Sequence, residues 1–117
     1  MVQQSSVRSQ QIVFYNARGL RSSRNELEVF ADDHDLDTLL VSETKLQPGT
    51  PNPNIRGFEV YRSDRTRGPG GGTVIYVRRE IRHQQITLPV LQNLAATAVT
   101  IKTANGQLTI ISCYHPP

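Results

Sequence analysis

The chain has 117 residues, the size of one small domain, and 37% of them are hydrophobic and 20% charged, as in a globular protein. It contains no apolar tract long enough to span a bilayer, and residues 1–10 lack the apolar segment of a signal peptide. A single cysteine, Cys113, excludes an intramolecular disulfide framework and favours a reducing compartment. The composition therefore predicts an intracellular globular domain without a membrane partner, preceded by a disordered polar tail at residues 1–10.

The charges are segregated along the chain, although the net charge is only +3. The acidic residues concentrate before residue 44, and the middle of the chain is rich in arginine. These arginines are Arg56, Arg62, Arg65, Arg67, Arg78, Arg79 and Arg82. The planar guanidinium group suits bidentate contacts with phosphate. Each arginine alone is as readily a solvated surface charge, but the cluster favours a polyanionic partner.

The first part of the chain has a strand–helix–strand pattern. Residues 11–15 predict a buried strand, and Ser23-Arg24-Asn25-Glu26 matches a capping box that would begin an amphipathic helix at residues 24–34. A second strand is predicted at residues 38–42. In so short a span this pattern predicts two parallel strands joined by a right-handed crossover.

The rest of the chain has the pattern of short antiparallel strands separated by turns. A proline-rich loop at residues 47–53 precedes them, and a glycine-rich loop lies at residues 65–72. The strands are predicted at residues 58–62, 73–77, 98–104 and 107–113. Asn105-Gly106 supplies the two positive-φ positions of a type I′ hairpin turn. The whole pattern predicts an α/β fold whose mixed sheet has a βαβ start and antiparallel hairpins.

Three predicted strands end in polar residues of catalytic type: Asn16, Glu43 and Tyr114. The first two strands are parallel, so Asn16 and Glu43 are expected at the same sheet edge, where α/β proteins form binding sites. A carboxylate and an amide oxygen suit Mg²⁺, with Mn²⁺ as an alternative, because this ion takes few protein ligands and keeps water and substrate phosphate. Tyr114 lies close to two prolines, Pro116 and Pro117, which fix its position. Its hydroxyl could therefore donate a hydrogen bond to a charged phosphoryl oxygen. Each residue alone is more commonly a solvated strand end.

Two other ligand sites are disfavoured by the sequence. The run Gly68-Pro69-Gly70-Gly71-Gly72 lacks the Gly-Lys-Ser/Thr ending of a phosphate loop and precedes a strand, so it is predicted as a turn that allows tight strand entry. A zinc site is disfavoured because the three histidines show no ligand spacing and the single cysteine has no partner. Neither motif therefore competes with the predicted Mg²⁺ site.

Five segments of the chain carry a resemblance to one known family. They are IVFYNARGL at residues 12–20, VSETKL at 41–46, GFEVYRSDR at 57–65, GGGTVIYV at 70–77 and YHPP at 114–117. Over residues 11–117 the chain resembles the N-terminal part of the endonuclease domain of non-LTR (LINE-type) retrotransposons, in the endonuclease/exonuclease/phosphatase superfamily. The resemblance implies a partial four-layer αββα sandwich whose second half is missing.

The resemblance also implies a function. It implies a Mg²⁺-dependent DNA endonuclease that nicks target DNA in the nucleus, so that the 3′-hydroxyl primes reverse transcription. Glu43 resembles the metal ligand, Asn16 the residue that helps to hold metal and phosphate, and Tyr114 the residue that contacts the scissile phosphate. The predicted DNA contacts are Arg18, Lys45, Arg62, Arg65 and Arg67. The implied partners are DNA, the second half of the domain and a reverse transcriptase domain in a parent polyprotein.

The sequence departs from the family in two respects. The Asp-x-Asn motif and the late Asp-His pair of the family's second half do not occur in it, and Ala95 stands where related sequences often carry glutamate. The general base is then missing, since His115 has no acidic partner nearby in sequence. We therefore expect the isolated chain to be marginally stable and to have little or no nuclease activity. Two alternatives stay open: a retroelement remnant that binds nucleic acid without cutting, and a phosphatase or phosphodiesterase of the same superfamily.

Overall fold

The computed structural model describes residues 10–64, 71–89 and 94–114, and all structural statements below refer to these ranges. In chain order the elements are β1 (Ile12–Asn16), α1 (Leu20–Asp33), β2 (Thr38–Ser42), β3 (Phe58–Ser63), β4 (Thr73–Arg78), β5 (His83–Ile86), β6 (Ala95–Thr103) and β7 (Gly106–Tyr114). The predicted tail, apart from Gln10, lies outside these ranges, as do Arg65, Arg67 and His115. No helix within the described ranges has the length and apolar character needed to cross a bilayer.

The strands form two sheets. The first has the order β1-β2-β4-β3 and the second the order β5-β6-β7. β1 and β2 are parallel and every other pair is antiparallel, which confirms the predicted α/β class and its βαβ start. One detail of the prediction is wrong, because the later antiparallel strands β5, β6 and β7 do not extend the first sheet. They form the second sheet and pack face to face against the first, which buries the apolar face of each.

Two hydrophobic clusters hold these layers together. One lies between α1 and the first sheet, where Leu20, Leu27 and Ala31 pack with strand residues such as Leu39 and Val41. The other lies between the sheets. Its buried residues are Leu40, Ile75, Val77, Val99, Ile101 and Ile110. The described chain thus has three layers in the order helix, sheet, sheet, which agrees with a partial αββα sandwich.

Strand β1 is not the buried strand that the sequence predicted. It forms one edge of the first sheet, with β2 as its neighbour. Phe14 of β1 is 60% exposed, and on the second sheet Ile111 is 54% exposed. An apolar strand sequence predicts burial, but a strand at a sheet edge is covered only if another element lies over it. Within the described ranges the fold leaves these side chains in contact with solvent.

Helix α1 begins at Leu20, about one turn earlier than predicted, and the predicted capping box is wrong. Ser23 lies inside the first turn, where its hydroxyl donates to the carbonyl oxygen of Gly19 at 3.3 Å. The unpaired N–H groups at the helix start find their acceptors just after β2 instead. The backbone N–H groups of Gly19 and Leu20 donate to the carbonyl oxygens of Glu43 and Thr44. A non-local contact therefore sets the boundary and joins α1 to the residues after β2.

The hairpin between β6 and β7 is confirmed, but its turn lies one residue earlier than predicted. Thr103 pairs with Gly106, so the turn residues are Ala104 and Asn105. Gly106 has φ 143, whereas Asn105 is not among the described residues with positive φ. The type I′ assignment is therefore wrong: the glycine that was expected in the turn opens β7 and takes the unusual backbone angle.

Candidate active site

The segment that follows β2 has an unusual backbone conformation. Glu43 has φ 54 and Lys45 has φ 56, and Arg18, in the turn before α1, has φ 47. Left-handed backbone conformations are uncommon for residues other than glycine. All three residues were predicted for the site from the sequence. Strained backbone persists only where its surroundings hold it, and it concentrates at functional sites.

Four backbone hydrogen bonds hold residues 43–45 from both sides. They join Gly19 N to Glu43 O (3.0 Å), Leu20 N to Thr44 O (2.9 Å), Thr44 N to Gly72 O (3.3 Å) and Lys45 N to Gly71 O (2.9 Å). The segment is therefore fixed between the start of α1 and the residues before β4. The left-handed residues have little freedom to relax, and the direction in which Glu43 leaves the sheet is set by the backbone.

Gly72 makes this arrangement possible. Its φ is 92, and a Cβ atom placed on it would lie 2.5 Å from Oγ1 of Thr44 and 3.5 Å from the carbonyl oxygen of Ser63. No larger residue fits there without movement of the neighbours. For the described glycines, Gly71 and Gly72, this agrees with the prediction of a turn that allows tight strand entry, whereas residues 68–70 lie outside the described ranges.

Tyr114 and Glu43 meet across the two sheets. The hydroxyl of Tyr114, at the end of β7, donates to Oε1 of Glu43 at a distance of 3.3 Å. Both side chains are half-buried. Asn16 is exposed and pairs with Ser42 in the parallel register, so it lies at the same sheet edge on the face toward the second sheet. The structure thus brings the three predicted site residues to one end of the sandwich.

The position of Ala95 bears directly on Tyr114. The register of β6 and β7 pairs Ala95 with Tyr114, so the two side chains are cross-strand neighbours. A glutamate at position 95, which the resemblance implies for related sequences, would place a carboxylate beside the tyrosine. Within the described residues, the carboxylate that Tyr114 contacts is that of Glu43.

The residues at this edge fit a Mg²⁺ ion that keeps much of its water. No group of three or more His, Cys, Asp or Glu residues within the described ranges could hold a metal ion. Glu43 supplies one carboxylate, and its Oε2 atom accepts no hydrogen bond from any described residue, while Asn16 adds an amide at the same edge. Mg²⁺ is commonly held by one or two carboxylates together with water and substrate phosphate. The donor set does not suit a closed zinc site.

The predicted DNA contacts fall into different positions. Arg18 and Lys45 are exposed and lie on the left-handed segments beside Glu43. Arg62, by contrast, has a side chain that is only 14% exposed and pairs with Asp64. Its guanidinium also donates to the carbonyl oxygens of residues 47 and 50 and to the side chains of residues 50 and 52. This geometry indicates that Arg62 fixes the loop after β2, and it does not favour a contact with DNA.

Sequence reasoning missed a set of buried hydroxyl groups beneath the site. Its members are Ser42, Thr73, Thr97 and Ser112. Each lies near the end of its strand on the face between the sheets, so a hydroxyl at the inward position of several strand ends was the available signal. Apolar residues are the rule at such positions, which makes the set informative.

Comparison with solved structures identifies the class of fold. The endonuclease domain of TRAS1, a telomere-specific non-LTR retrotransposon, matches with a TM-score of 0.67 and 19% identity, over 93% of this chain and 46% of that one. An AP endonuclease from Archaeoglobus fulgidus matches with a TM-score of 0.66 and 16% identity, over 91% of this chain and 41% of that one. These matches confirm that the chain has the fold of this class of endonucleases, of which it spans less than half.

Comparison with curated proteins points to mobile elements. The RNA-directed DNA polymerase from mobile element jockey of Drosophila melanogaster is 29% identical over 107 residues, which is 91% of this chain and 12% of that protein. The probable RNA-directed DNA polymerase from transposon X-element of the same species is 30% identical over 108 residues, again 91% of this chain and 12% of the relative. No protein-family model matches the chain. Together with the fold, these matches confirm the resemblance to the endonuclease domain of non-LTR retrotransposons.

Proposed function

We propose that the chain carries the metal-binding and phosphate-binding edge of a Mg²⁺-dependent endonuclease domain that nicks DNA for a retrotransposon. The observation that supports this most directly is the hydrogen bond between Tyr114 and Glu43, which joins strand ends of two different sheets. A core has no need of a carboxylate and a phenol at that place. Because the whole relatives are far longer than this chain, the activity is proposed for the larger protein.

The candidate residues have separate tasks in this proposal. Glu43 would be the carboxylate ligand of Mg²⁺. Asn16, at the end of the neighbouring strand, would help to orient the coordination shell of the same ion. Mg²⁺, when bound, neutralises the phosphate and stabilises the leaving oxygen. The hydroxyl of Tyr114 has one proton, so when DNA is bound it would donate to a phosphate oxygen in place of Glu43. The exposed Arg18 and Lys45 contact phosphates of the DNA backbone and so position the strand.

The remaining parts of the proposal concern the whole protein. The general base is expected outside this sequence, so the chain alone is expected to bind metal and DNA without efficient cutting. The exposed Phe14 and Ile111 support the expectation of marginal stability, since uncovered apolar strands favour association over solubility. The further partners would be the rest of the domain and a reverse transcriptase in the same polyprotein, acting on DNA in the nucleus.

The metal site is tested by isothermal titration calorimetry of the purified chain with Mn²⁺. The Glu43→Gln variant is expected to lose about tenfold or more in Mn²⁺ affinity, because it removes the charged ligand. Glu26→Gln is the matched control, since Glu26 is an exposed glutamate on α1. Equal affinity of the wild type and the Glu43→Gln variant would refute the assignment of Glu43.

A DNA experiment separates this function from the non-cutting alternative. Duplex binding is measured by fluorescence anisotropy at several salt concentrations, and nicking is measured on supercoiled plasmid with Mg²⁺. Binding that falls steeply with salt, survives Glu43→Ala and occurs without Mn²⁺ affinity would favour a nucleic-acid-binding remnant. Robust nicking by the chain alone that depends on Glu43 would contradict the expected need for further residues.

A further inference from the structure

Four buried hydroxyl-bearing side chains lie at one level between the sheets, here called the hydroxyl layer: Ser42, Thr73, Thr97 and Ser112. Each is between 0% and 3% exposed. Ser42 pairs with Thr73 in the first sheet, and Thr97 pairs with Ser112 in the second. The two sheets are joined within the layer, because Oγ1 of Thr73 lies 2.8 Å from Oγ1 of Thr97. The hydroxyl of Thr97 also donates to the carbonyl oxygen of Thr73 at 3.3 Å.

The hydroxyl layer lies directly below the contact between Tyr114 and Glu43. Glu43 follows Ser42 in the chain, and Tyr114 is the next residue after Ser112 on the same face of β7. The Thr73–Thr97 pair and the Tyr114–Glu43 pair therefore join the same two sheets at successive levels of the sandwich. Any slide of one sheet along the other at the level of the threonines would be carried to the level of the site.

Stability alone does not explain the layer. Valine would fill the threonine positions, and replacement of both hydroxyl partners of a buried hydrogen bond by apolar groups of the same shape can be nearly neutral. The hydroxyl of Ser112 is buried and has no hydrogen-bond partner among the described residues, which is unfavourable for folding. Directional bonds do what apolar packing cannot: packing sets the separation of the sheets, whereas a hydrogen bond also sets their lateral registration.

We propose that Thr73 and Thr97 are positioning residues whose hydrogen bond fixes the registration of the two sheets and so holds the Tyr114 hydroxyl on the Glu43 carboxylate. The inference rests on the proposed function only for the purpose of that contact, since the geometry itself is independent of metal or DNA. Neither threonine touches substrate in this account. Their effect reaches the site through β2, β4, β6 and β7.

The test uses the full chain labelled with ¹³C at Cζ of its tyrosines, without metal. The Tyr114 signal is assigned with Tyr114→Phe, and Glu43→Ala gives its position when the contact is lost. In the Thr73→Val/Thr97→Val double variant the signal is expected to move toward the Glu43→Ala position, while the midpoint of urea unfolding stays near that of the wild type. A double variant that keeps the wild-type Tyr114 signal, or that does not fold, overturns the proposal.

Two further variants distinguish positioning from general loosening of the core. Thr97→Ser keeps the hydroxyl and is expected to keep the wild-type Tyr114 signal. Ser112→Ala removes a hydroxyl of the same layer that takes no part in the pair, so it is expected to leave the signal unchanged and the protein at least as stable. A Tyr114 signal that moves equally in Ser112→Ala would show that any change in the layer disturbs the tyrosine, and would refute a specific role of the pair.

Mn²⁺ affinity then separates this inference from the proposed function. If the wild type binds Mn²⁺ through Glu43, the double variant is expected to bind it about tenfold more weakly, as when residues that orient a ligand are changed. If the Tyr114 signal moves but the wild type does not bind Mn²⁺, the positioning role stands and the metal assignment fails. If Mn²⁺ binds but the signal does not move, the metal assignment stands and the positioning role fails.

Discussion

Substitution of Gly72 by alanine tests whether the backbone around Glu43 depends on the close approach of two chain segments. The added Cβ would lie 2.5 Å from Oγ1 of the buried Thr44, in a residue whose φ is 92. The positive φ costs about 1–2 kcal/mol for a residue with a side chain, and forcing an atom into a packed site costs about 1–3 kcal/mol more. We expect Gly72→Ala to lower the free energy of unfolding by about 2–5 kcal/mol in urea denaturation.

The chain offers a matched control for each contribution. Gly49 has φ 82, and no atom lies within 4 Å of the place that a Cβ on it would occupy, so Gly49→Ala isolates the backbone contribution. Thr44→Ala in the Gly72→Ala background removes the hydroxyl that clashes and is expected to recover the packing contribution only. If Gly72→Ala destabilises no more than Gly49→Ala, the close contact with Thr44 does not matter, and the reasoning that Gly72 holds the site segment is refuted.

Three further predictions concern residues that form hydrogen bonds with the loop between β2 and β3. Arg62→Lys is expected to lower the free energy of unfolding by about 1–2 kcal/mol, because lysine cannot reproduce the fork of hydrogen bonds to the loop. The DNA affinity measured in anisotropy titrations is expected to stay unchanged. A loss of DNA affinity without a loss of stability would instead favour a role of Arg62 as a DNA contact. Tyr76→Phe leaves the carbonyl oxygen of Pro53 without the hydroxyl that donates to it at 2.6 Å. The substitution is expected to lower the free energy of unfolding by about 1–2 kcal/mol in the same assay. Because burial raises the pKa of Tyr76, this loss should not vary between pH 6 and pH 9, and a strong pH dependence would contradict the prediction. The pKa of Glu28 is lowered below its ordinary value of 4.5, chiefly because the backbone N–H of Arg56 donates to it. The ionised carboxylate therefore stabilises the fold above that pH, and this stabilisation is lost as the pH falls through the lowered pKa. Glu28→Gln should reduce the acid sensitivity of unfolding, and an unchanged pH profile of the free energy of unfolding would disprove this.

The sequence predicted well what local pattern determines. Glu43 and Tyr114 could be found because an apolar strand pattern stops abruptly at each of them, and the parallel placement of β1 and β2 follows from the short crossover. The hairpin was found from its glycine, although the turn lies one residue away. These features depend on residues close in sequence, which is where pattern carries most information.

The features that were missed depend on contacts between distant segments. The start of α1 is set by carbonyl groups after β2, and no residue near Ser23 records that. The hydrogen bonds that Arg62 donates to the loop before β3 were likewise not visible in the sequence, and its predicted contact with DNA stays a prediction. The second sheet likewise follows from how inward residues of β6 meet those of β4, since an alternating strand pattern shows which face is apolar but not which sheet it joins.

The same non-local contacts bear on the proposal that this chain binds metal and DNA without efficient cutting. The direction of Glu43 is set by backbone hydrogen bonds to residues 19, 20, 71 and 72, and its partner Tyr114 comes from the second sheet. We propose that the general base of the larger protein is not among the described residues. Preorganised ligands raise affinity for an ion whether or not a base is present. We therefore expect metal binding without efficient turnover, and the dependence of Mn²⁺ affinity on Glu43 is the first result that would support or contradict this expectation.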